Sequence, residues 1–223
     1  MKRYIKSSVK IPNEEQPDVR VHIAETTRDP ATIDAMFHDE TPSVRLALLR
    51  NPNVPDDIVD KLLNNDYYQA SVAADIRTRP EVLRKLVDTN AYDTIERLVA
   101  HPNTPPDVLE KLYDKWNTHH YMNGIMHRLA FHRNLPAHMI QEFAKSRNPD
   151  FRTHVALNPN IPAELLSELA KDGNPEVRSA VASNKHAPVD LLNQLTQDSD
   201  EGTRLCANYT LTCLGLPTVP RSI

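Results

Sequence analysis

Apolar residues along this chain recur in short clusters spaced i, i+1, i+4: Val108, Leu109 and Leu112, then Leu165, Leu166 and Leu169, then Leu191, Leu192 and Leu195. That spacing gathers three side chains on one stripe of a helix, and each cluster spans little more than one turn. A fixed phrase stands before them. Asn51-Pro52-Asn53-Val54-Pro55, His101-Pro102-Asn103-Thr104-Pro105 and Asn158-Pro159-Asn160-Ile161-Pro162 are three copies of it, and Ile58, Val59 and Leu62 follow the first. Looser copies put Met139, Ile140 and Phe143 after Pro136, Val82, Leu83 and Leu86 after Pro80, and Ile33 with Phe37 after Pro30. Proline suits the first turn of a helix because its missing N–H has no intrahelical partner there. Each phrase is therefore predicted to open a short helix.

A second helix is predicted in every unit from the pattern Val-Arg-x-small-apolar, as in Val44-Arg45 and Val177-Arg178. Taking the arginine as a ruler, the equivalent positions are Arg20, Arg45, Ala70, Ile95, Met126, Arg152, Arg178 and Arg204, in steps of 25, 25, 25, 31, 26, 26 and 26 residues. A period of this length marks stacked helix pairs, each touching mainly its neighbours. The expected fold is all-α, a solenoid of seven to eight helix-pair repeats.

The phrase Asn-Pro-Asn-x-Pro-x-x-x-Leu-x-x-Leu, joined to Asp-x-x-x-x-Val-Arg-x-Ala-Val-Ala, resembles the leucine-rich repeat variant family, a relative of HEAT repeats, over residues 18–212. Asn158 to Ser183 is nearly a consensus unit. The resemblance implies a right-handed α-solenoid in which α-helices alternate with shorter, often 3₁₀, helices. The best-known member carries an iron–sulfur cluster in a cysteine-rich extension. This chain has only Cys206 and Cys213, so no cluster and no other cofactor is expected. The resemblance implies a scaffold and specifies no reaction.

Composition narrows the picture further. Of 223 residues 39% are hydrophobic, below the usual ~45–50%, with 18 prolines and 4 glycines. Few glycines and no Gly-x-Gly-x-x-Gly argue against a nucleotide-binding fold. No apolar run reaches the ~18 residues of a membrane span, and Met1 to Ile11 lacks an apolar export core. With two cysteines, a cytoplasmic location and no membrane partner are the expectation. The organisation expected is a basic extension or cap at 1–17, repeats over 18–212 with an insertion near 114–123, and a tail at 213–223. That insertion accounts for the 31-residue step and carries Trp116, His119, His120 and Tyr121.

Candidate chemistry lies in the charges. Asp39, Asp172 and Asp198 stand six residues before Arg45, Arg178 and Arg204, and Glu14 before Arg20, so carboxylate and arginine can pair within or between units as a ladder. A ligand-binding role for these arginines is the alternative. Two residues beyond the ruler a normally small slot holds Arg97, Arg128 and His154, just where Ile95 and Met126 replace the ladder arginine. Either the ladder shifts by two residues, or these three residues form a positive strip with the 114–123 loop at its edge. Residues 97–158 hold eight Lys/Arg against five Asp/Glu, on a chain whose net charge is −4. His119, His120, His127, His132 and His138 crowd together without the His-Glu-x-x-His spacing of a zinc site, so no metal site is expected. Cys206 falls in the small slot and reads as a buried, inert thiol. The function predicted is a non-enzymatic scaffold that binds another protein through Arg97, Arg128, His154, Trp116, His119, His120 and Tyr121. An anionic ligand or nucleic acid is the alternative partner, bound by a nucleic-acid-binding or DNA-processing HEAT-like solenoid through the basic central repeats.

Overall fold

The computed structural model describes residues 16–116 and 123–217. Among these residues the protein is wholly helical, with fifteen α-helices and no strand. Eight of them hold the ruler positions: α1 (Pro17–Thr26), α3 (Pro42–Leu48), α5 (Asp66–Ala74), α7 (Tyr92–Ala100), α9 (Asn123–Ala130), α11 (Pro149–Ala156), α13 (Pro175–Ser183) and α15 (Glu201–Cys213). Seven follow the proline phrases: α2 (Pro30–Phe37), α4 (Asp56–Leu63), α6 (Pro80–Lys85), α8 (Pro106–Trp116), α10 (Ala137–Ala144), α12 (Ala163–Leu169) and α14 (Val189–Leu195). No described helix is long and apolar enough to cross a membrane.

The chain divides into two compact units, residues 1–108 and 109–223. Within the first, α1, α3, α5 and α7 pack in succession, and α2, α4 and α6 lie against them. Within the second, α9, α11, α13 and α15 do the same, with α10, α12 and α14 alongside. The predicted stripes are the core. Leu83, Leu166 and Leu192 are completely buried, and Val59, Leu62, Ile140 and Leu169 nearly so. Each such side chain contributes about 1.5–3 kcal/mol by leaving water. In α2 the stripe is Ile33 with Met36 rather than with Phe37, which stays half-buried.

The short helices depart from the 3₁₀ form that the resemblance implies, since every described helix is α. The tighter geometry appears at helix ends, where Leu49 N donates to Leu46 O at 3.0 Å and Leu86 N to Leu83 O at 3.1 Å, and in the turns between helices, where Ile161 N donates to Asn158 O at 3.3 Å. Such i→i+3 bonds satisfy carbonyls that the end of an α-helix leaves without partners.

Candidate interaction surface

Two ladders of buried polar groups decide which side chains are left for a partner. The first uses the asparagine that begins each phrase. Asn158 Nδ2 donates back to Ala130 O at 3.1 Å and His132 O at 3.0 Å, while its Oδ1 accepts from Asn160 N at 2.9 Å. Asn184 repeats this on Ala156 O and Asn158 O, and Asn51 on Ala24 O and Thr27 O. His101 fills the same place with an imidazole. Its Nδ1 accepts from Asn103 N at 3.1 Å and its Nε2 lies 2.8 Å from Asp75 O. These partners require a proton on Nε2 and none on Nδ1, so the ring is neutral. His132 also accepts from Asn134 N through Nδ1. Both histidines are buried, so they belong to the internal ladder and add no charge to a positive strip.

The second ladder uses the arginines, and it runs between units. Arg152 donates to both carboxylate oxygens of Asp172, at 2.6 and 3.0 Å, and Arg178 to both of Asp198, each at 2.8 Å. Arg20 pairs with Asp39 at 2.9 Å. The carboxylate six residues ahead of an arginine thus serves the preceding unit. The arginine itself takes only the backbone carbonyl there, as Arg178 does with Asp172 O at 2.9 Å and Arg204 with Asp198 O at 2.7 Å. Hydrogen bonds from Arg152 and Arg178, against the opposing effect of burial, hold the Asp172 and Asp198 carboxyls below the ordinary range.

This direction explains the exceptions to the ruler. Ala70 and Met126 stand where the next unit offers Thr89 and Ser146 in place of an aspartate. Arg45 faces Asn64 at that place and donates instead to the Tyr68 hydroxyl at 2.5 Å. At Ala70 and Met126 arginine and carboxylate are lost together, and Arg45, which keeps its arginine, bonds within the fold, so the ladder arginines are structural.

Arg97 does not continue this pattern among the described residues. Near the end of α7 in the first unit, Arg97 is exposed and makes no ion pair or side-chain hydrogen bond with the described residues. In the second unit Arg128 is exposed on α9, and His154 lies half-buried in the same register on α11. His154 stacks on the neighbouring ring of His127, with centroids 4.7 Å apart. Burial first, then the nearby His154, lowers the His127 pKa, with Asp150 opposing. His119, His120 and Tyr121, with the side chain of Trp116, lie outside the described residues. Among the described residues no group of three His, Cys, Asp or Glu side chains is placed to hold a metal ion.

Sequence reasoning missed a different register, five residues beyond the ruler. In the first unit it reads Glu25, Arg50, Asp75 and Ala100, and in the second Phe131, Leu157, Ser183 and Tyr209. Arg50 joins Glu25 at 2.7 Å and also pairs with Asp75, so the first unit closes this edge with charge. In the second unit Phe131 and Tyr209 are 50% and 71% exposed, and Leu205, one turn before Tyr209, is 63% exposed. The signal was present in the sequence as aromatics spaced by the repeat.

Family comparison follows the repeats of the second unit. Residues 126–185 match the leucine-rich repeat variant domain, and residues 175–200 match the leucine-rich repeat variant itself. Over residues 126–200 the chain therefore matches leucine-rich repeat variants. The leucine-rich repeat variant matches span the residues in which the Asn158, Asn184, Arg152 and Arg178 bonds are formed. The chain is also similar to a solved structure described as a leucine-rich repeat variant with a novel repetitive protein structural motif. The two share 20% identity over 87% of this chain and 82% of that one, with a TM-score of 0.49. No curated protein matches the sequence significantly.

Proposed function

We propose that this chain is a non-enzymatic interaction scaffold whose second unit binds a protein partner. One observation carries the reading. Just past the end of α9 and on α15, in repeats joined by buried hydrogen bonds, the large side chains Phe131, Leu205 and Tyr209 stand out into solvent. Exposed apolar residues scattered singly need no explanation, but these lie on the same face of a repeating surface, where aromatics serve as anchors in protein interfaces. The face runs along α9, α11, α13 and α15, the stacked helices of a leucine-rich repeat variant.

The test is affinity capture of proteins from the native host with the full chain and with a Phe131→Ser, Tyr209→Ser double variant. A specific protein held by the wild type and released by the double variant, with helicity and melting temperature unchanged, is the expected result. Equal capture by both proteins would remove this face from the function.

A further inference from the structure

We infer that the partner of this face is an acidic polypeptide segment with apolar side chains between its carboxylates. The inference rests on the scaffold reading above and adds the chemistry of the partner.

Three observations carry it. The first is a charge asymmetry set by the repeat. From one to eight residues beyond each ruler position, the second unit reads 127–134, 153–160, 179–186 and 205–212, and these four stretches contain no Asp or Glu. They contain Arg128, Arg133 and Lys185, all exposed. The same stretches of the first unit, 21–28, 46–53, 71–78 and 96–103, contain Glu25, Asp75 and Glu96. The carboxylates of the second unit on these helices, such as Asp150, Glu176 and Glu201, stand at the helix starts. The C-terminal half of this face therefore carries cations without interspersed anions, and a local field of one sign selects an anionic partner.

The second observation is a place for an apolar anchor. Between the end of α13 and the flank of α15 lies a hollow of about 310 Å³, walled by Leu205, Cys206, Tyr209 and Cys213, with Ser183 and Lys185 at its border. Cys206 is half-buried there and not the buried thiol expected from its register, because among the described residues no helix packs over α15 as α15 packs over α13. An apolar side chain seated among Leu205 and Tyr209 would bring a neighbouring carboxylate within reach of Lys185.

The third is the kind of side chain that is exposed. Phosphate binding needs many cations, and affinity for nucleic acid grows with the number of phosphates neutralised. This face offers few cations, together with aromatic and aliphatic surface that a phosphate backbone cannot use. The combination suits carboxylates spaced by leucine or phenylalanine.

The experiment uses fluorescence anisotropy of the full chain with a short labelled peptide in which leucines alternate with glutamate pairs. Controls are the same peptide with lysine for glutamate, a glutamate-only peptide and a single-stranded oligothymidylate. The leucine–glutamate peptide is expected to bind, and to weaken as salt is raised. Arg133→Glu with Lys185→Glu, and separately Leu205→Ser with Tyr209→Ser, should each weaken it about tenfold or more, as expected for loss of charge-assisted bonds or of apolar anchors. All four positions are exposed, and unchanged circular dichroism would verify folding. Absence of binding, equal binding of the lysine peptide, indifference to both double variants, or preference for oligothymidylate would each overturn the inference. If host-protein capture still depends on Phe131 and Tyr209 while the acidic peptide does not bind, the scaffold reading stands and the acidic partner falls.

Discussion

The two units solve the same edge in opposite ways. Five residues past the ruler, the first unit sets Glu25, Arg50 and Asp75 one above another, and Arg50 bridges both carboxylates. Arg77 adds a further contact to Glu25 at 3.4 Å and to Asp75 at 3.3 Å. The second unit places Phe131, Leu157, Ser183 and Tyr209 in that register and leaves the two aromatics in water. The backbone repeat is common to both, so the difference lies in side chains that the fold does not need. A surface that satisfies itself offers little to a partner, whereas one that leaves apolar area exposed gains by covering it.

The sharpest way to break this comparison is to find that the cores differ. Leu83→Ala in the first unit and Leu166→Ala in the second should each cost about 2–5 kcal/mol in urea unfolding, since both side chains are fully buried. A near-zero value for either would mean that its unit is not packed by the common stripe. Next comes the asparagine ladder. His101→Ala should cost about 1–3 kcal/mol by leaving the carbonyl of Asp75 and the amide of Asn103 without their partner. His101→Asn should recover most of the loss, because asparagine does the same work at position 158. Failure of asparagine to rescue would show that the two side chains are not equivalent.

Arginine replacements are expected to have smaller but directional effects. Arg178→Met should cost about 1.5–3 kcal/mol, the scale of a hydrogen bond to a charged group. Its pH dependence follows from Asp172 and Asp198, whose carboxyls are more acidic when folded than the ordinary value of 3.8. Their contribution is complete above that value and is lost as pH falls through the lower folded value. Acid unfolding of the wild type should thus begin below about pH 4 through these pairs, and Arg178→Met should weaken that dependence. The smallest effects belong to the contrasting edge. Arg50→Ala should cost about 1 kcal/mol and less in high salt. Phe131→Ser should stay within about 0.5 kcal/mol, as for a surface side chain. Equal losses at the two positions would erase the contrast drawn here.

The sequence made the repeat legible because proline, asparagine and the apolar triplets each act locally. The seven proline phrases and eight ruler positions correspond to the fifteen helices of the structure. What could not be read was direction. Asp172 lies six residues from Arg178 along the chain, yet its carboxylate belongs to Arg152, 20 residues earlier. Only stacking decides which neighbour an arginine meets. The same holds for His101 and His132, whose place in the asparagine ladder shows only once the repeats are stacked. The histidine-bearing loop itself lies outside the described residues, and Arg97 belongs to the first unit while Arg128 and His154 belong to the second. Phe131 and Tyr209 escaped notice because an aromatic at repeat spacing reads as core until burial is measured.

One feature of the bonding bears on how such chains change length over evolution. Asn158 reaches back one repeat and Arg152 reaches forward one repeat, so an interior unit carries half of each junction on either side. Duplication or loss of one whole 26-residue cassette would bring identical half-junctions together and re-form both bonds. An insertion of one residue within a helix would misalign both. Selection acting on this architecture therefore counts in cassettes, and new binding faces arise by altering the outward residues of a copy whose joints already fit.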